Sequence, residues 1–138
     1  MTTQHLGELQ AGDALPEWLL PALTTEDIKR YAEASGDHNP LHTDPAFAQA
    51  AGLDGVIAHG MLVMGLMGRL ATSVAGPTGL RTFGVRFRAM TKPGEALRCG
   101  GRIVAIHEHD GERLAECEIW ARGEDGTIKA IGTFTAAL

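Results

Sequence analysis

One six-residue segment gathers side chains that can hold and transfer protons. Asp37-His38-Asn39-Pro40-Leu41-His42 contains a carboxylate, two imidazoles and an amide. Because proline disfavours helical geometry in the residue before it, the segment is predicted to be a loop of fixed shape. A carboxylate beside an imidazole stabilises the imidazolium form, so such a pair can pass protons near neutral pH. Asp and Asn also favour turns, so these residues alone leave a simple turn with exposed histidines as an alternative.

The same segment also contains a spacing that is compatible with metal binding. His38 and His42 are four positions apart, which places two ligands on one face when the chain is helical. Pro40 lies between them, and no CxxC or HExxH pattern accompanies them. The sequence therefore predicts no metal site here, and it leaves proton transfer and a simple turn as the two interpretations of this loop.

A second group of candidate residues lies where an apolar helix is predicted to begin, at His59-Gly60-Met61. His59 is expected to be a buried residue at the start of that helix. The backbone N–H of Gly60 would be in the first turn, where it has no helical acceptor and where the helix dipole is positive. A glycine also allows close approach, so Gly60 is a candidate donor to a developing oxyanion. Met61, next to it, is grouped with Gly60 as a candidate substrate contact.

The charge is uneven along a chain whose net charge is −5. Half of its twelve basic residues lie between positions 81 and 102: Arg81, Arg86, Arg88, Lys92, Arg98 and Arg102. Such a segment is either a pair of solvated strand faces or a local anion-binding site. The acidic overall balance, with one Tyr, two Trp and four Phe, argues against nucleic-acid binding.

The composition indicates one globular domain over residues 1–138, because 44% of the residues are hydrophobic and 21% are charged. Cys99 and Cys117 lack a CxxC spacing and are expected to be buried reduced thiols. The first five residues do not resemble a secretory signal. The apolar run from Val56 to Ala75 is interrupted by a histidine and an arginine, which favours a core helix over a membrane span. A cytoplasmic location is therefore expected.

Three helix starts are predicted before the strands begin. Thr24 and Asp27 form a capping pattern, and Asp44-Pro45 combines a cap with a first-turn proline. Gly36 suits the end of the first helix. The third helix, from Gly60 to about residue 75, is apolar nearly all round and is expected to be surrounded by protein.

The second half of the chain shows strand patterns, and residues 1–23 suggest a further strand or extended arm. The predicted strands are Arg81–Met90, Leu97–His109, Arg113–Arg122 and Thr127–Ala137, in a meander whose later turns are Asp110-Gly111 and Asp125-Gly126. A sheet must bury one face, and the apolar helix is its natural partner. The expected fold class is α+β, with a curled antiparallel sheet wrapped around a central apolar helix.

Three motifs, in order, resemble those of the MaoC-like, or (R)-specific enoyl-CoA hydratase 2, family. Ser35-Gly36-Asp37-His38-Asn39-Pro40-Leu41-His42 matches its (S/G)-G-D-x-N-P-x-H signature. Ile57-Ala58-His59-Gly60-Met61 resembles its HGM helix start, and Gly84-Val85-Arg86-Phe87 followed by Pro93-Gly94 resembles its "VRF…PG" strand and turn. The resemblance covers roughly residues 8–138, and within the family the chain looks like the B subunit of (3R)-hydroxyacyl-acyl-carrier-protein dehydratases.

This resemblance implies a single hot-dog domain and a lyase of fatty acid metabolism. It assigns Asp37 and His42 as the acid–base pair that hydrates trans-2-enoyl thioesters to (3R)-hydroxyacyl thioesters, or catalyses the reverse dehydration. In this reaction the Gly60 N–H, the candidate oxyanion donor, would bind the thioester oxygen. Asn39 is expected to fix the loop or to contact substrate. Some family members have serine at the position of Gly65, so a hydroxyl contact there is not expected.

The resemblance also implies which substrate this chain binds and which partner chains it associates with. The substrate would be an acyl-coenzyme A or acyl-carrier-protein thioester, with no other cofactor, and the carrier's phosphates would meet residues 81–102. No nucleic acid or membrane is expected as a partner. A homodimer, or a heterodimer with another hot-dog chain, is expected.

Three other roles fit the same fold. The chain could be a non-catalytic acyl-thioester-binding partner in a heterodimeric dehydratase, although such a partner does not need an intact pair of Asp37 and His42. It could also be a hot-dog thioesterase, or a scaffold that neither binds nor converts enoyl thioesters. The sequence leaves open which member of the pair takes the first proton.

Overall fold

The computed structural model describes residues 5–138, so residues 1–4 of the predicted N-terminal arm lie outside the described part. After a short 3₁₀ turn the chain forms five strands and three helices, which in chain order are β1 (Trp18–Leu20), α1 (Thr25–Ser35), α2 (Pro45–Ala50), α3 (Gly60–Ala75), β2 (Leu80–Phe87), β3 (Leu97–His109), β4 (Glu112–Arg122) and β5 (Ile128–Ala137). In residues 5–138 no helix has the length and hydropathy that a membrane crossing requires.

Local capping interactions fix both helices that flank the candidate loop. Thr24 Oγ1 accepts the Asp27 N–H at 3.0 Å, and the Asp27 carboxylate accepts the Thr24 N–H at 2.9 Å, which completes a capping box at the start of α1. Gly36 ends α1 in the left-handed conformation, with φ of 78°. Asp44 accepts two N–H groups from the first turn of α2, which begins at Pro45. The predicted helix starts are confirmed, and the loop between Gly36 and Asp44 is held at both ends.

All five strands form one antiparallel sheet in the order β1-β3-β4-β5-β2. The β3–β4 hairpin closes at the predicted turn, where Asp110 and Gly111 both have positive φ, of 50° and 79°. The predicted meander is correct for β3, β4 and β5 but wrong for β2, which pairs with β5 at the edge of the sheet. An alternating pattern specifies which face of a strand is buried and does not specify its neighbour.

Helix α3 packs across β2, β3, β4 and β5 with one apolar face. The residues buried on that face are Val63, Met67, Leu70, Ala71 and Val74. Met61, Gly65, Arg69 and Thr72 lie three or four positions apart and form an exposed stripe on the other side. The expectation that α3 is surrounded by protein is therefore wrong for this chain by itself.

Strand β2 ends at Phe87 rather than at the predicted Met90, because the ladder is interrupted there. The N–H groups of Arg88 and Ala89 both donate to the carbonyl of Lys129, at 2.8 and 3.3 Å. Two consecutive residues therefore lie opposite one residue of β5, as in a β-bulge. The chain then turns, and the carbonyl of Thr91 accepts the Ala58 N–H at 2.8 Å. This irregularity places residues 87–91 beside the start of α3.

Candidate active site

The loop after α1 has the fixed shape that its sequence predicts. One oxygen of the Asp37 carboxylate accepts the Asn39 N–H at 3.2 Å, and the Asn39 side-chain oxygen accepts the Leu41 N–H at 3.1 Å. The Asn39 carbonyl then accepts the His42 N–H at 3.1 Å. Each side chain therefore stabilises a turn two residues ahead. Asn39 acts in this structure by shaping the loop that brings Asp37 back toward His42.

The two candidate catalytic side chains are brought together. His42 Nδ1 lies 2.8 Å from the carbonyl oxygen of Ile57. A carbonyl can only accept, so Nδ1 carries the hydrogen and Nε2 of the neutral ring has a free lone pair. Nε2 is 3.9 Å from Asp37 Oδ2, too far for a direct hydrogen bond. A water oxygen about 2.8 Å from both atoms fits between them.

His59 lies directly against this pair. It is only 1% exposed, and its Nε2 lies 3.1 Å from the backbone carbonyl oxygen of Asp37. Its ring stacks on the ring of His42, with centroids 3.8 Å apart and an interplanar angle of 25°. The Tyr31 ring packs against it in a T-shaped arrangement, with the two ring centroids 4.8 Å apart. The sequence predicted a buried His59, but these contacts connect distant parts of the chain and have no local signal.

Asp37, His42 and His59 each offer one ligand atom, and these atoms all lie within 4.8 Å of one another. The geometry nevertheless does not suit a metal ion. Imidazole lone pairs lie in the ring plane, and two stacked rings direct them side by side rather than toward one point about 2 Å from both. His38 is exposed and is not part of this group.

A cavity of about 440 Å³ opens beside the pair, at the start of α3. Its walls come from the candidate loop, the segment before α3, the first turns of α3, the bulged segment and the start of β5. The lining residues are His42, Ile57, Ala58, Gly60, Val63, Phe87, Arg88, Ala89, Met90, Thr91 and Lys129. The volume is within the range of small-molecule sites. Phe87, Arg88 and Met90 are exposed and mark the mouth.

Gly60 occupies the position expected of an oxyanion donor. It is the first residue of α3 and lines the cavity, and its N–H has no acceptor within the described residues. A Cβ added to Gly60 would lie 3.1 Å from the Phe87 ring, so a side chain would narrow the cavity. The Met61 side chain is 56% exposed and forms no wall of this cavity.

The sequence model of the family described as "MaoC like domain" matches residues 18–119 of this chain. This chain belongs to the MaoC-like domain family. It is 36% identical over 129 residues to 3-hydroxyacyl-thioester dehydratase Y of Mycobacterium tuberculosis, covering 86% of this chain and 44% of that relative. The chain spans less than half the length of several curated relatives that it matches, 27% to 44% in three of them.

Solved structures of similar shape confirm the hot-dog fold. The structure titled "(R)-hydratase from A. caviae involved in PHA biosynthesis" has a TM-score of 0.82 and 22% identity, with 94% of this chain and 97% of that chain covered. The ChsH1-ChsH2 complex of Mycobacterium tuberculosis has a TM-score of 0.81 and 22% identity, with 94% and 98% covered. At this identity the two likenesses establish the architecture of the MaoC-like domain.

Two residues in the cavity wall of this MaoC-like domain were missed by sequence reasoning. Thr91 is 2% exposed, and its hydroxyl has no partner within the described residues. Lys129 is 6% exposed, and its ammonium donates to the Met90 carbonyl at 2.9 Å and pairs with Glu95 at 3.1 Å. Lys129 is the one charged residue of β5, which is the signal that could have drawn attention to it.

Glu95 has a lowered pKa despite its partial burial. Burial by itself would raise the pKa of this carboxyl group, but the backbone N–H of Lys92 and the ammonium of Lys129 stabilise the ionised form more strongly. The ion pair is therefore charged at neutral pH. It holds residues 90–95 against the start of β5, next to the cavity wall.

The basic segment between residues 81 and 102 divides into two groups. Four of its six members pair with carboxylates: Arg81 with Glu112 at 2.6 Å, Lys92 with Asp54 at 2.9 Å, Arg98 with Glu17 at 3.7 Å and Arg102 with Glu118 at 2.9 Å. Arg86 and Arg88 are exposed and make no such pair within residues 5–138. Arg88 lies at the mouth of the cavity.

Proposed function

We propose that this MaoC-like chain catalyses the reversible addition of water to trans-2-enoyl thioesters, giving (3R)-hydroxyacyl thioesters. One observation carries the proposal: Asp37 Oδ2 and His42 Nε2 stand 3.9 Å apart beside a cavity that His42 and Gly60 help to line. The dehydratase names of its relatives support this reaction class.

The pair would act on one water molecule held between its two acceptors. In hydration, the water oxygen forms a bond to C3 of the enoyl group and gives one proton to the pair. The C2–C3 π electrons shift toward the thioester carbonyl, and C2 then takes a proton from the pair. The product carries the added hydroxyl at C3 and the added hydrogen at C2, and the reverse sequence is dehydration. Asp37 and His42 share these two transfers as one interacting unit.

Gly60 would stabilise the charge that develops on the thioester oxygen. Its N–H has no acceptor among residues 5–138 and lies at the positive end of α3. A preorganised donor of this kind typically contributes about 3 kcal/mol to transition-state stabilisation. The acyl chain would occupy the cavity between Gly60 and the bulged segment.

Arg88, together with Arg86, would bind the phosphates of the thioester carrier. Both guanidinium groups are exposed and free of carboxylate partners within the described residues, whereas the other four basic residues of the segment are paired. Arg88 also stands at the cavity mouth. A phosphate arriving there gains charge-assisted hydrogen bonds without breaking an existing ion pair.

A second hot-dog chain, identical or related, would cover the mouth of the cavity. Strand β2 is at the sheet edge, and Phe87 and Met90 expose 50% and 55% of their surface there. An open edge strand beside exposed apolar side chains favours association with another chain.

Purified protein and a short trans-2-enoyl-CoA test the proposal, with hydration followed as loss of the enoyl absorbance. Asp37→Asn and His42→Ala should each lower kcat by about 10²–10⁴-fold, because acid–base assistance is lost. His38→Ala, in the same loop but outside the pair, is the matched control and should retain turnover. Circular dichroism and Tm confirm that each variant is folded.

Two results would contradict the proposal. One is wild-type turnover by either folded variant of the pair. The other is release of free thiol from an acyl thioester without hydration, which indicates a thioesterase. A non-catalytic subunit would instead bind the thioester without converting it, so the purified wild-type chain would show no turnover.

A further inference from the structure

We propose that His59 is a positioning residue that fixes both members of the reacting pair, holding the backbone of Asp37 by a hydrogen bond and the ring of His42 by stacking. The inference rests on the proposed function, since it takes Asp37 and His42 as the groups that handle the water. It assigns His59 no proton transfer with substrate.

The hydrogen bond anchors a carboxylate that is otherwise weakly held. The Asp37 side chain is 53% exposed, while His59, whose Nε2 is 3.1 Å from the Asp37 carbonyl, is 1% exposed. The carbonyl accepts, so His59 Nε2 carries the hydrogen. The buried ring of His59, immediately before α3, thus holds the backbone of a residue whose carboxylate is itself half exposed.

The stacking contact restricts the remaining freedom of His42. The bond from His42 Nδ1 to Ile57 fixes one ring atom but permits rotation about that contact. The His59 ring, 3.8 Å away at 25°, limits this rotation and keeps Nε2 directed toward Asp37. Tyr31 of α1 makes a T-shaped contact with His59, with ring centroids 4.8 Å apart, so the supporting ring is itself held by α1.

The two ring nitrogens of His59 have different surroundings. Nε2 donates to the Asp37 carbonyl, whereas Nδ1 is buried without a hydrogen-bond partner in the described part of the chain. Among the described residues, the bond to Asp37 is therefore the one side-chain hydrogen bond that His59 makes, and a substitution that removes the Nε2 donor removes it completely.

Two substitutions separate the hydrogen bond from the stacking. His59→Phe keeps a stacked ring and removes the N–H, whereas His59→Gln keeps an amide N–H and removes the ring. Each should lower kcat by about 10-fold to 10²-fold, the range expected when a reacting group is misplaced, and leave KM within about 2-fold. His107→Gln, at an exposed position on β3, is the matched control and should leave both constants unchanged.

A measurement that does not depend on turnover keeps this inference separate from the proposed function. Histidine-ring ¹⁵N NMR at pH 8 should show a single Nδ1–H tautomer of His42 in the wild-type protein. In His59→Gln that signal should broaden or divide between tautomers. Loss of activity in His59 variants, with an unchanged His42 signal in His59→Gln, would refute the stacking role.

The kinetic and folding results for the His59 variants also test the positioning role. Wild-type kcat in folded His59→Phe and His59→Gln would overturn the inference. Failure of both variants to fold would also overturn it, because His59 would then be a core residue and no more. If instead Asp37→Asn and His42→Ala keep turnover, the proposed function fails, whatever the NMR signal shows.

Discussion

The ion pair between buried Lys129 and partly exposed Glu95 should stabilise the protein, and removing it tests quantitatively how much this pair contributes to the cavity wall. The Lys129 ammonium is 3.1 Å from Glu95 and 2.9 Å from the Met90 carbonyl, and Met90 lines the cavity. Lys129→Met removes the charge and keeps most of the side-chain volume. The Glu95 carboxylate then retains the Lys92 N–H and access to water.

The expected loss of unfolding free energy depends on how well water can hydrate the charged residue that remains after its partner is replaced. Breaking a buried pair typically costs about 3–5 kcal/mol. The Glu95 side chain is 35% exposed, so water replaces part of the lost attraction, and Lys129→Met should lower the unfolding free energy by about 2 kcal/mol. For a chain of this length that is a fall in Tm of roughly 6–10 °C. Glu95→Gln should cost about 3 kcal/mol, because the Lys129 side chain, 7% exposed, cannot be rehydrated in the same way.

The stabilisation that Glu95 contributes should be lost at low pH. The folded-state pKa of Glu95 is lowered, so its stabilising contribution is complete above the unfolded-state value of about 4.3 and is lost as the pH falls through the folded-state value. The stability gap between the wild type and Glu95→Gln should be constant above about pH 5 and shrink toward pH 3.

Urea unfolding of the wild type, both single variants and the double variant measures the coupling directly. The double variant should be less destabilised than the sum of the singles by about 1–2 kcal/mol. Additive losses at pH 7, or a gap that widens as the pH falls, would refute the reasoning.

Three further predictions address the cavity, the carrier site and the core. Gly60→Ala keeps the backbone N–H but places a Cβ 3.1 Å from the Phe87 ring, so it should displace the thioester from this donor and lower kcat by about 10²-fold in a folded protein; unchanged kcat would argue that the thioester does not bind close to Gly60. Arg88→Ala should raise KM for an enoyl-CoA by about 10-fold but leave the phosphate-free N-acetylcysteamine thioester unaffected, with paired Arg98→Ala as the control; equal effects on both substrates would argue against phosphate binding. Burial raises the pKa of Cys99 to about 11 and of Cys117 to about 12, so neither thiol should react with a disulfide reagent at pH 8 until denaturant is added.

The features that the sequence predicts well depend on neighbouring residues. Thr24 and Asp27 satisfy each other's backbone groups within one turn, and Asp110-Gly111 adopts the positive φ values of a tight hairpin. The loop that carries Asp37 and His42 is shaped by Pro40 and by side chains that bond two residues ahead. Such interactions can be predicted because the residues that make them are adjacent in the sequence.

The features that the sequence does not predict depend on contacts between distant segments. The pairing of β2 with β5, the bulge opposite Lys129 and the exposed stripe of α3 all follow from how the sheet is assembled. His59 reaches Asp37 from 22 positions away, and Lys129 reaches Met90 from 39 positions away. Neither contact leaves a periodic or local pattern.

The central claim is that Asp37 and His42 act together on one water, and a double-substitution cycle in kcat tests it most directly. Asp37→Asn, His42→Ala and the protein carrying both substitutions are compared on one enoyl thioester. Residues that work as a unit give strongly non-additive losses, so the double variant should be no slower than the slower single variant. A double variant whose loss equals the product of the two single losses would contradict the account.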